Sequence, residues 1–463
     1  MSELPESSEE FKKLIKKMEE MLKGRSTYYF DVDEIIEGSE HFLEENKIKQ
    51  AREVLEIGQS LHPLSSEIMV QYAQVLCMQE KFNQALELIA KAEDIEPNNK
   101  DFLLIKAEIY SGQEKHKEAI ECLWEFINTS DDKEFLDVVY NDLAWEYETL
   151  NDHENALKCL QEAIKIDPTD DSLLFEIAYF YEALEKREES IKYYESYIDE
   201  HPYSYNAWYN LGNIYNDIEL YEKAVEAFDF AIVIKDDFAS AYFNKGNAYF
   251  KLGRYQEAID CYLSTFEFEE NQAITYCYLG ECYEKLKQLE ESEKCFQFAL
   301  EIDPKIADGL IGMTIVRDLQ GRTIEGLPYI EQATKLYPNH FESWYIKGEV
   351  NEKLEEFEEA RTCYQKAFEI DPDNEQMLLT YSNFIAEQDS VDKALDFLGE
   401  SDSNLIKYRK VAFLIMLGKQ QEALSLLEDA LTENPENYSL LERYHPDIKE
   451  LVDFVNVVNR YRN

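Results

Sequence analysis

The sequence predicts an all-α fold: a solenoid of about twelve stacked helix-turn-helix units with a helical cap at each end. Three observations predict it. A small residue recurs at Ala51, Ala85, Ala119, Ala156, Ser190, Ala224, Ala258, Ser292, Gly326, Ala360, Ala394 and Ala423, and nine of the eleven steps equal 34 residues. A second small series runs twelve residues ahead of the first, at Ser39, Ala73, Ala107, Ala144, Ala178, Gly212, Gly246, Gly280, Thr314, Gly348 and Ser382, with Val411 as its exception. Prolines fall in phase with both, Pro63, Pro97, Pro168, Pro202, Pro304, Pro338, Pro372 and Pro435 each standing just before a new first helix. A fixed period of this length marks a repeat architecture, and a residue without an N–H sets each helix boundary.

Each element follows from these series. Two antiparallel helices need small side chains where their axes approach most closely, and the two series supply one to each helix of a pair. Large residues at helical spacing fill the remaining space, as in Trp208, Leu211 and Tyr215 before Phe228, or Tyr242 and Tyr249 before Tyr262. The phase breaks twice, by three extra residues near Asn128–Asp132 and by five missing near Gly399–Asn404. Each unit of a solenoid touches only its neighbours, so such breaks alter local curvature without ending the stack. The chain then divides into an N-terminal capping helix and linker (1–31), repeats 1–3 (32–133), repeats 4–11 (134–403), repeat 12 (404–437) and C-terminal capping helices (438–463).

The caps are read from their apolar faces. Residues 8–23 place Phe11, Leu14, Ile15, Met18 and Leu22 together, with Ser7 and Glu10 spaced as a capping box and Gly24 as the stop. Residues 447–461 place Ile448, Leu451, Val452, Val455 and Val458 together after Pro446, leaving Phe454, Val457 and Tyr461 off that face; ordinary capping is the first reading of this helix and a surface for self-association the alternative.

Composition narrows function. With 97 Asp and Glu against 46 Lys and Arg, the formal charge is −51, which excludes nucleic acid and anionic membranes as partners of choice. The acidic start MSELPESSEE is unlike a secretory signal, and no run of about 18 apolar residues occurs, so a cytoplasmic protein is expected. The repeats leave about 31 residues before them and about 26 after, too few for a separate catalytic domain. Five of the eight cysteines, Cys122, Cys159, Cys261, Cys295 and Cys363, share one position of the second helix and read as small buried residues. No HExxH, GxSxG or Gly-rich phosphate loop accompanies the seven scattered histidines. No enzyme, cofactor or metal is expected.

Trp208-Tyr-Asn-Leu-Gly-Asn-Ile-Tyr215 followed by Tyr221-Glu-Lys-Ala-Val-Glu-Ala-Phe228 resembles the tetratricopeptide repeat signature, and the likeness spans about residues 32–437. The resemblance implies a right-handed superhelix whose first helices line a concave face. The inward positions of the middle repeats then carry Trp145, Phe175, Tyr179, Tyr209, Asn210, Asn213, Asn216, Phe243, Asn244, Asn247, Phe250 and Tyr278, rimmed by Asp142, Glu148, Glu182, Asp217 and Glu281. Amides donate to and accept from a peptide backbone, and aromatic rings supply contact area at low entropy cost. Truncating these inward side chains is expected to cost little stability. The carboxylate clamp of tetratricopeptide co-chaperones is not expected, because its positions carry Asn141, Phe175 and Tyr209 in place of cations. The sequence thus points to a scaffold that holds a basic peptide of a partner protein. The alternative is a self-assembling solenoid, a homo-oligomer joined through its terminal helices.

Overall fold

The computed structural model describes residues 9–129, 135–270, 272–399, 401 and 403–461, and no strand occurs among them. A lone helix α1 (Glu9–Leu22) precedes α2 (Val32–Glu44), α3 (Ile48–Leu61), α4 (Ser66–Cys77), α5 (Phe82–Ile95), α6 (Asp101–Gly112), α7 (His116–Thr129), α8 (Leu136–Thr149), α9 (His153–Ile166), α10 (Asp171–Ala183), α11 (Arg187–Glu200) and α12 (Tyr205–Asp217). These lie in the first of two compact units, Met1–Glu219. The second unit, Leu220–Asn463, holds α13 (Tyr221–Ile234), α14 (Ala239–Lys251), α15 (Tyr255–Thr265), α16 (Ala273–Lys285), α17 (Leu289–Ile302), α18 (Ala307–Leu319), α19 (Thr323–Leu336), α20 (Phe341–Lys353), α21 (Phe357–Ile370), α22 (Glu375–Gln388), α23 (Val391–Leu398), α24 (Asn404–Met416), α25 (Gln420–Glu433), α26 (Tyr438–Tyr444) and α27 (Val452–Tyr461). Helix lengths and turns follow the predicted helix-turn-helix order from α2 through α25.

Both small series go where helix packing needs them. All twelve residues of the first are buried, and so are all of the second except Ala178, which is half-buried. The fit is tight: a Cβ on Gly280 would lie 2.8 Å from the Phe296 ring, and Ser292 Oγ donates across the same pair to Gly280 O at 2.7 Å.

The turn inside most pairs, though not between α22 and α23, is a feature the periodicity did not reveal. Asn46, Glu80, Glu114, Asn151, Glu185, Gly253, Lys287, Gly321, Glu355 and Gly418 all have φ between 54° and 76°. Glu185 N–H bonds Glu182 O and Lys186 N–H bonds Tyr181 O, at 2.9 and 3.0 Å, so α10 ends in a Schellman motif with its left-handed residue at Glu185.

The N-terminal cap buries Leu14 and Met18, with Phe11, Ile15 and Leu22 packed at their edge, and Gly24 stops it at φ 68°. Ser7 of the expected capping box lies outside the described residues, and of the insertion expected near Asn128–Asp132 only Asn128 and Thr129, the end of α7, lie within them. The C-terminal expectation needs correction. Pro446–Glu450 forms a 3₁₀ turn and Leu451 is extended, so α27 starts afresh at Val452 with a different phase. A 3₁₀ turn holds 3.0 residues rather than 3.6, which rotates the face that follows. Phe454, Val457 and Val458 are therefore buried with Leu427, Leu431 and Leu441, while Val452 is 69% exposed and Val455 half-buried. Two of the three residues expected to offer a self-association surface fill the core instead.

Candidate functional site

In the first unit, α8, α10 and α12 are first helices of successive pairs and carry the inward positions Trp145, Phe175, Tyr179 and Tyr209. Trp145, Phe175 and Tyr179 are 54%, 42% and 51% exposed, although each is a large ring that burial would favour. The Phe175 ring meets half-buried Tyr209 edge-on at 6.1 Å, and His116, held by Glu146 at 2.7 Å, meets Trp145 edge-on at 6.0 Å. Two cavities open on either side of a wall made by Phe175 and Tyr179. One, of about 520 Å³, is lined by Asn141, Asp142, Trp145, Glu148 and Glu176 besides that wall. The other, of about 530 Å³, adds Tyr181, Glu182, Arg187, Ser190, Asn210, Asn213, Ile214 and Asp217. The two cavities share Phe175 and Tyr179, and side by side they are called the trough.

Its electrostatics are one-sided. Burial raises Asp142 above the usual carboxylate range, helped by Glu146 and Glu108, and burial raises Glu176, helped by Asp170 and Glu148, with no cation among the described residues offsetting either. Burial also raises Asp217, to which Glu182 adds and against which Arg187 acts. A carboxylate that is costly to ionise among its own kind favours an arriving cation.

Among the predicted amides, Asn213 lines the trough and Asn216 is half-buried with an enclosed Oδ1 that lacks a hydrogen-bond partner. Asn210 departs from expectation. It is 2% exposed, and its Nδ2 donates to Leu174 O at 3.1 Å, the carbonyl that also accepts from Tyr194 Oη. Its N–H is committed to joining α12 to α10.

The predicted residues of the second unit behave differently. Phe243 packs on Tyr262 and Tyr278 at 5.6 and 5.4 Å, Tyr262 stacks on Tyr278, and Phe250 meets Tyr255 at 5.4 Å. Asn247 Oδ1 accepts from Tyr262 Oη at 2.8 Å, and Asn244 is half-buried. Tyr262 belongs to a buried core cluster and Phe243, Phe250 and Tyr278, themselves half-buried, pack against it, which runs against the expectation that their truncation is cheap. Glu281 is pushed up to about 7 by burial, then by Asp308, Glu342 and Glu284, against Lys285.

Sequence reading missed Tyr181, Arg187, Ser190 and Ile214, and one signal would have found them. Sixteen residues after a small residue stands the side chain that faces it: Tyr262, Phe296 and Tyr364 meet Gly246, Gly280 and Gly348, whose added Cβ would lie 2.5–2.8 Å from those rings. Tyr194 stands sixteen residues after Ala178, so here a ring is paired with a residue that keeps its Cβ. Accordingly α10 and α11 stand less closely together than the helices of any other pair within a unit, Ala178 is not fully covered, and the second cavity opens there.

The cysteines are free, and burial pushes Cys159 and Cys282 up to about 12 and Cys261 and Cys295 up to about 11. Such thiols stay protonated and pack as apolar groups. Among the described residues no group of three His, Cys, Asp or Glu is placed to hold a metal, and no helix is long and apolar enough to cross a membrane.

Comparison with known proteins gives a consistent family. The tetratricopeptide repeat model matches residues 138–170, 239–271, 273–306 and 341–374, a second tetratricopeptide model matches 172–204, and a TPR repeat model matches 212–253. A model of anaphase-promoting complex, cyclosome, subunit 3 matches 40–126. The auxiliary subunit NAA15 of the N-terminal acetyltransferase A complex of Arabidopsis thaliana is 28% identical over 184 residues, covering 35% of this chain and 19% of that relative. Among solved structures, the yeast protein Tom70 is 13% identical with a TM-score of 0.47, covering 92% of this chain and 95% of its own. Cut9–Hcn1 of the APC/C is 13% identical with a TM-score of 0.43, covering 91% and 93%. YrrB, described as a TPR protein with an unusual peptide-binding site, is 23% identical with a TM-score of 0.33, covering 41% and 97%. With the 34-residue period, the paired helices and the repeated family matches in agreement, the chain belongs to the tetratricopeptide repeat family, whose repeats mediate interactions between proteins.

Proposed function

We propose that the chain is a non-catalytic interaction scaffold and that the trough across α8, α10 and α12 holds an extended, basic segment of a partner protein. The observation that carries this reading is the exposed wall of Phe175 and Tyr179 between two acid-lined cavities. Exposed rings beside desolvated carboxylates suit a chain with basic side chains: the rings cover apolar stems and the acids meet the charged heads. Long-range attraction from the −51 charge speeds encounter, whereas the trough fixes the complex. The relative that serves as an auxiliary subunit of a complex supports a scaffold role in kind.

The test is fluorescence anisotropy with labelled pools of basic and acidic nonapeptides. The basic pool should bind and the acidic pool should not. Changing Trp145 and Tyr179 together to Ala should weaken binding about a hundredfold or more, each ring being worth roughly 2 kcal/mol at a binding hot spot. Both rings are half exposed, so the helix content should be unchanged. Equal binding of the basic pool by the folded double variant would overturn the trough reading.

A further inference from the structure

We infer that the cavity where α10, α11 and α12 meet is a pocket for one lysine side chain of the bound segment. The inference rests on the trough reading and sharpens it. Its first support is a hydroxyl. Ser190 is 2% exposed, its Oγ has no hydrogen-bond partner, and it lines the cavity. The same repeat position in the second unit shows the ordinary fate of such a group, since Ser292 donates to Gly280 O. With α10 and α11 held apart around Ala178 and Tyr194, Ser190 has no such bond, and a buried polar atom without a partner is rare in native proteins.

The lining selects what meets that hydroxyl. Tyr179 and Ile214 offer apolar surface, and Glu182 and Asp217 add carboxylates. A lysine stem lies along the first two while its compact ammonium, with three donors, takes the Ser190 hydroxyl and the two carboxylates as acceptors. A guanidinium fits less well: its five donors lie in one plane, so pairing that fork with Asp217 or Glu182 turns it from the Ser190 hydroxyl, which a compact ammonium takes together with both acids. Arg187 also lines the cavity and acts on Asp217, so an arriving cation shares that carboxylate with it. Acetylation of the lysine removes the charge that Asp217 and Glu182 favour.

The experiment uses the full chain and an immobilised library of basic nonapeptides whose central residue is fixed as lysine, arginine, norleucine or Nε-acetyl-lysine. Lysine at the centre should be retained about tenfold over each of the other three. Ser190→Ala, which removes the hydroxyl without adding volume, should lower that preference several-fold. Ser190→Val, which fills the floor, should erase it, and Asp217→Asn should erase the preference of lysine over norleucine; circular dichroism confirms that each variant is folded. Equal retention of lysine and arginine, or a preference that survives both Ser190 changes, would mean that the cavity holds only water and would overturn the lysine pocket while leaving the trough reading intact. Failure to retain any basic peptide would overturn the trough reading, and the pocket with it.

Discussion

Phe175 and Phe243 occupy the same position of the repeat, two periods apart, yet their surroundings are opposite. In the first unit Phe175 is 42% exposed beside two cavities; in the second, Phe243 packs on Tyr262 and Tyr278. The difference traces to the residue beneath the ring of the second helix. Gly246 admits Tyr262, which is fully buried and anchored on Asn247, whereas Ala178 faces the equivalent Tyr194. Closely packed helices respond to a single methylene, so one methyl group separates a closed pair from an open one. A repeat protein can thus place a pocket in one unit of a regular stack by a change at one small position.

Exchanging the two small residues tests this most strongly. Gly246→Ala puts a Cβ 2.7 Å from the buried Tyr262 ring, whose hydroxyl bond to Asn247 keeps it from yielding. Overpacking should cost about 1–3 kcal/mol and outweigh the roughly 1 kcal/mol that Ala gains over Gly within a helix. Thermal denaturation should show a lower midpoint for the variant. The reciprocal Ala178→Gly should let α10 and α11 close, leave stability nearly unchanged and weaken basic-peptide binding. A Gly246→Ala protein more stable than the parent, as helix propensity alone requires, would break the comparison.

The same residues show what the sequence holds. The two small series are legible because each position must be small for two helices to approach, and nearly all of them are buried as expected. The orientation of a ring is not legible from its repeat position, because Phe175 and Phe243 share that position and differ in what opposes them. The pairing of Tyr194 with Ala178 was present in the sequence, but it appears only when the small series is read against the residue sixteen places on. The face of α27 was misread for another reason. Apolar spacing assumes one continuous helix, and Pro446–Glu450 winds at a different pitch.

A second test concerns charge. Glu281 is raised to about 7 by burial first, then by Asp308, Glu342 and Glu284. In the unfolded chain a glutamate titrates near 4.3, so the folded state holds this proton more tightly. The associated stability is fully present below that value and is lost as pH rises through about 7. Glu281→Gln cannot ionise and keeps its stability over the range, so it should gain about 2–3 kcal/mol on the parent between pH 5 and pH 8. Paired thermal melts at the two pH values measure the gain. A difference between variant and parent that does not change with pH would show that Glu281 is as well solvated as a surface acid.

The smallest effect lies in the turns. Glu185 and Gly253 sit at the same position between the helices of their pairs, with φ of 54° and 72°. A residue with a Cβ is strained in this left-handed region, where its Cβ approaches the following carbonyl, and glycine is not. Nothing about the turn itself demands glutamate, since Gly253 closes the same hydrogen-bond pattern, bonding Phe250 O while Arg254 N–H bonds Tyr249 O. Glu185→Gly should therefore stabilise the α10 turn by about 0.5–1 kcal/mol, reduced by the extra freedom glycine gives the unfolded chain, and Gly253→Ala should destabilise the α14 turn by a similar amount. In so long a chain the midpoint shift is small, and hydrogen exchange resolves it better. Lys186 N–H, which closes the turn on Tyr181 O, should exchange about two- to fivefold more slowly in Glu185→Gly, with amides of the second unit unchanged. If Lys186 exchanges faster instead, Glu185 holds the open α10–α11 pair in shape by a contact that outweighs its backbone strain, and the turn is part of what keeps the cavity open.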